Sequence, residues 1–133
     1  MTSVVFEDHW GDILDRESED LVEFRWFDTT ADMSADEFKA SLANFAACVE
    51  RCRRHHILVD NTNFRMDPSR MDGAWRDANI IPRYNAAGVT KFAFQMPPAM
   101  PMIGSPPAKE GPSRFPTAYF GLRQEALDWL AKP

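Results

Sequence analysis

The chain's 133 residues, 44% hydrophobic and 26% charged, are enough for one globular domain that buries a single core without disulfides or a structural metal. With 20 acidic against 15 basic residues, the formal net charge of −5 argues against a nucleic-acid binder, which needs a basic face to displace counterions from phosphates. No apolar run approaches the ~20 residues that cross a bilayer, and no basic segment followed by an apolar core marks a signal peptide. The expected compartment is therefore the cytoplasm, with both cysteines, Cys48 and Cys52, reduced.

Eight of the acids lie between Glu7 and Glu23, opposed there by Arg16 alone. They read as a solvated acidic hairpin rather than a docking patch. The hairpin spans Gly11 to Phe27: a short strand near Asp12 to Arg16, a polar turn over Glu17 to Asp20, then Leu21 to Phe27. In its second strand Val22, Phe24 and Trp26 alternate with Glu23 and Arg25. That is the period of a half-exposed strand, which suits a sheet edge better than a centre.

Ser34 and Glu37 form a Ser-x-x-Glu capping box, and Asp36 adds a second acid at the positive end of the helix dipole. Phe38, Leu42, Phe45, Val49 and Cys52 follow at three- and four-residue steps, and Arg51, Arg53 and Arg54 favour the last turn. A helix over about Ala35 to Arg54 is predicted. Ile57 to Asp60 is short and continuously apolar until its final residue, the pattern of a buried central strand. A second helix is predicted from Asp67 as cap and Pro68 as first residue, with Met71, Trp75 and Ala78 inward. Pro82 kinks or restarts it, and Gly88 ends it in the left-handed conformation.

Thr90 to Met96 reads as a strand with Phe92 and Phe94 on one face and Ala93 on the other. Seven prolines among the 20 residues from Pro97 to Pro116 rule out a helix or a central strand, so a long loop is expected there. Ala118 to Phe120 is a final strand, and Arg123 to Ala131 a closing helix that buries Ala126, Leu127 and Leu130 or Trp129. After the hairpin, strands alternate with crossovers, which predicts a mostly parallel sheet of four to five strands with helices packed on it.

That order, with several local signatures, resembles the SpoIIAA-like fold of the STAS superfamily (sulfate transporter and anti-sigma-factor antagonist domains), and within it bacterial proteins labelled STAS/SEC14-domain. The matching stretches are Asp32 to Lys39, Leu58 to Phe64, Ile81 to Arg83 with Gly88 to Phe94, and Ala118 to Phe120 with Glu125 to Leu130. The resemblance implies one STAS-like domain over residues 1–133 that binds and regulates without catalysis. It also implies a regulatory serine at the start of the helix after the central strand, where Ser69 stands. Around Ser69 the antagonists' adjacent serines followed by glycine are absent: Arg70-Met71-Asp72 precedes Gly73.

Open α/β sheets keep ligands beyond the carboxyl ends of their strands. Asp60, Asn61 and Asn63 fall there, with Gln95 on the neighbouring strand; the Asp and Asn residues also satisfy turns on their own account. Met100 and Met102 in the proline-rich loop add adaptable apolar contact surface. A protein partner or small apolar ligand is expected at this combined surface, and the protein is expected to be a homodimer. Two rival functions stay open: a small hydrolase or isomerase with Asp60 as general base, and a lipid-binding protein. Cys48, Cys52, His55 and His56 are close in sequence, but tetrahedral metal sites draw ligands from two segments, so core packing is the preferred reading. No glycine-rich phosphate loop, nucleophile elbow or His-Glu-x-x-His motif is present, and no cofactor is expected.

Overall fold

A computed structural model describes residues 2–98 and 100–133. It is a mixed α/β fold around a seven-stranded sheet. The strands are β1 (Thr2–Glu7), β2 (Gly11–Arg16), β3 (Leu21–Trp26), β4 (His56–Asp60), β5 (Lys91–Gln95), β6 (Ala108–Lys109) and β7 (Pro116–Phe120). Their spatial order is β1-β2-β3-β4-β5-β7-β6. β3, β4, β5 and β7 run parallel, while β1 and β2 at one side and β6 at the other are antiparallel additions. As its apolar run predicts, the Ile57 to Asp60 segment is the middle strand of the seven and lies parallel to β5.

The helices are α1 (Ala35–Cys52), α2 (Gly73–Asn79), α3 (Ile81–Ala87) and α4 (Arg123–Ala131). Phe38, Leu42, Phe45 and Val49 of α1, with Ile81 and Tyr84 of α3, cover one sheet face. On the other face Ala126 and Leu130 of α4 cover Leu21, Leu58 and Ala93. The predicted capping box is formed: Ser34 Oγ accepts from Glu37 N at 3.1 Å, and Glu37 Oε1 accepts from Ser34 N at 2.9 Å. Arg53 takes the left-handed conformation and ends α1 two residues short of the predicted Arg54, which instead turns to Asp15. Among the described residues no helix is long and apolar enough to cross a membrane.

Four expectations need correction. β3 is not an edge strand: β2 and β4 flank it, and Glu23 is 0% exposed, made tolerable by Arg16 and Arg123. The acidic hairpin is not simply solvated either. Arg25 holds Asp12 at 2.6 Å, Arg54 holds Asp15 at 2.8 Å, and His55 Nδ1 lies 2.7 Å from Asp20.

The second helix is broken. Asp67 caps only a 3-10 turn, Pro68–Arg70; Met71 is extended, and Asp72 starts α2 afresh by accepting from Trp75 N at 3.0 Å. Met71 and Ala78 are consequently exposed, and Ile80, Ile81 and Tyr84 form the inner face instead. Finally, the sheet has two strands that the pattern did not reveal, β1 and the two-residue β6 inside the proline-rich loop.

Candidate functional site

Beneath the carboxyl ends of β3, β4 and β5, on the α1 face, lies a cavity of about 230 Å³. Its walls follow from the pleat. Phe24 and Trp26 of β3, Val59 of β4, and Phe92 and Phe94 of β5 point to this face, while the intervening residues point to α4. Phe38, Leu42 and Phe45 close it from α1, and Met71, Gly73, Arg76 and Tyr84 from the segment that crosses back to β5. The rings are mutually packed: Phe24 on Trp26 at 4.2 Å between centroids, Trp26 on Phe64 at 4.9 Å, and Phe92 on Phe94 at 4.8 Å.

Three polar side chains interrupt this apolar lining, those of Asn61, Arg76 and Tyr84. Asn61 Nδ2 donates to Met96 Sδ at 3.4 Å. The Arg76 guanidinium carbon stands 5.5 Å from the Phe92 ring centroid, a cation–π contact, and among the described residues it has no carboxylate partner. Tyr84 is buried with its ring edge-on to Phe45, and burial pushes its phenol far above the ordinary tyrosine range.

The residues expected to form one ligand-facing rim are divided between two faces. Asn61 enters the cavity. Asp60 and Gln95, paired in register, lie on the α4 side, where Asp60 Oδ1 accepts from Thr62 N at 3.0 Å and Thr62 Oγ1 at 2.6 Å. That is an Asp turn, the local role such residues favour at strand ends. The Gln95 Oε1 atom is buried without a hydrogen-bond partner among the described residues. Asn63 is exposed away from both.

Met100 and Met102 are 39% and 42% exposed and belong to neither wall of the aromatic cavity. Further along the same loop, Ile103 to Pro107 roof a second hollow of about 290 Å³ against Phe120 and Trp129. Ser69 is exposed in the 3-10 turn, its N–H donating to Asp67 Oδ1 at 2.9 Å.

Cys48 is buried and Cys52 half-buried in the α1 core, and burial pushes both thiols above the ordinary cysteine value. Burial likewise pushes His56 below the ordinary histidine value, so its ring is neutral at pH 7. Among the described residues no three His, Cys, Asp or Glu side chains gather as a metal site.

Sequence reasoning missed Arg76 and Tyr84, which sit eight positions apart on two helices whose break at Ile80 brings both over Phe92. The aromatic alternation of β3 and β5 was the available signal for the remaining walls. Comparison of the chain with protein-family models, curated proteins and solved structures finds no match.

Proposed function

We propose that this chain is a non-catalytic binding module of STAS-like type that takes a small, largely apolar ligand into the aromatic cavity. The cavity is the observation that carries the reading. A concave, ring-lined space with few polar groups, at the carboxyl end of parallel strands, is where such folds bind small molecules. The parallel run β3-β4-β5-β7 with helices on both faces supports the STAS-like architecture.

The volume limits the ligand. At ~30 Å³ per water-sized group, a space of about 230 Å³ holds one ring system or a short acyl chain, not a two-chain lipid. Asp60, the candidate base of a hydrolase, lies on the opposite face of the sheet and is engaged by Thr62, which favours binding over catalysis.

A neutral probe tests the reading. Saturation-transfer NMR with 3-phenylpropan-1-ol is expected to show transfer from protein to probe. Leu42→Trp, which fills the cavity from α1, is expected to abolish that transfer while far-ultraviolet circular dichroism stays native. No transfer with the unmodified protein, or equal transfer with the filled variant, refutes the cavity as a binding site.

A further inference from the structure

Two of the cavity's polar residues, Arg76 and Tyr84, stand against the same ring, that of Phe92. Tyr84 is 1% exposed and lines the cavity. Its ring centroid lies 5.8 Å from that of Phe92, over which the Arg76 guanidinium also stands at 5.5 Å.

Asp72 caps α2 and lies 3.5 Å from Lys39 Nζ, and Glu110 receives the Tyr119 hydroxyl at 2.8 Å, so neither is free to pair with Arg76. A guanidinium fork and a protonated phenol both line the aromatic chamber, and its described lining includes no carboxylate.

Resting on the binding reading above, we infer that the cavity's ligand is an apolar carboxylic acid whose carboxylate is received by the Arg76 guanidinium and the Tyr84 hydroxyl. A guanidinium fork matches a planar carboxylate with two parallel hydrogen bonds, and the phenol adds a third donor. The ring walls then hold the apolar body. Burial keeps the Tyr84 phenol protonated throughout the physiological range, so the hydroxyl is available as a donor.

The test compares two nearly isosteric probes, 3-phenylpropanoate and 3-phenylpropan-1-ol, titrated at pH 7 and low salt. The unmodified protein is expected to bind the acid about tenfold or more tightly, the effect of one hydrogen bond to a charged group. Arg76→Gln is expected to erase that preference. Tyr84→Phe, which removes one oxygen and keeps the ring, is expected to weaken acid binding about threefold to tenfold and alcohol binding less.

Equal affinity for the two probes, or an acid preference that survives both substitutions, overturns the carboxylate assignment while leaving the cavity reading intact. Failure of both probes to bind removes the two together.

Discussion

The Glu23 carboxylate of β3 and the Arg123 guanidinium at the start of α4, 100 positions apart in the chain, meet in a two-pronged ion pair, with Nη2 donating to Oε1 at 2.7 Å. Arg16 Nε completes the arrangement at 2.6 Å from Oε1. The carboxylate is fully enclosed, whereas both arginines keep part of their side chains in solvent. One buried negative charge is thus fixed by two cations from near opposite ends of the chain.

Glu23→Gln leaves the shape and removes the charge. Breaking a buried pair costs about 3–5 kcal/mol when the remaining charge stays trapped; here both arginines can turn to water, so a loss near the lower end, about 3 kcal/mol, is expected in urea unfolding at pH 7. The pH dependence has a definite sign. Burial alone raises the Glu23 pKa, but hydrogen bonds from Arg123 and then Arg16 hold it below the ordinary value of 4.5. The folded state therefore gains from this group above pH 4.5 and loses that gain as the pH falls through the depressed value. Glu23→Gln is expected to flatten stability against pH in that acid window. An unchanged acid slope contradicts the assignment.

Gly11 faces Trp26 across the β2–β3 ladder, and a methyl group there would sit 2.4 Å from the Arg25 carbonyl oxygen and 2.7 Å from Phe24 Cε1. Backbone of a central strand cannot move aside, so Gly11→Ala is expected to lose about 1–3 kcal/mol. Gly73, which starts α2, has nothing within 4 Å of the same added atom. Gly73→Ala is expected to be neutral or slightly stabilising. Parallel thermal melts of the two variants check the contrast, and equal melting temperatures refute it.

Ser34→Ala removes the hydroxyl half of the α1 capping box. The expected loss is about 1 kcal/mol, or roughly 3–5 °C in midpoint for a domain of this size. Ser34→Asp, which keeps an acceptor at the cap, is expected to restore most of it. Calorimetry that shows no difference between Ala and Asp contradicts the capping role.

The layered α/β arrangement was legible wherever one local pattern had one meaning. The Ser34 box and its apolar stripe located α1, and the run ending at Asp60 located the central strand. The β3 pattern misled because alternation reports side-chain polarity, not solvent: Glu23 is enclosed by an arginine 100 residues later, which no local window contains. The site was half legible for a related reason. Asp60, Asn61 and Gln95 are adjacent at the strand ends, but the pleat sends Asn61 to the aromatic side and the other two to the α4 side. Arg76 and Tyr84 were hidden because a single predicted helix gives them no common partner, and the break at Ile80 does.

The two rims of the sheet are unequal. At one, β6 is two residues long and follows Pro106 and Pro107, which have no N–H to offer an incoming chain. At the other, β1 presents six residues of main chain, interrupted by an irregularity between Val4 and Phe6. Strand addition by another polypeptide therefore has a usable template beside β1 and almost none beside β6: this sheet can be extended in one direction.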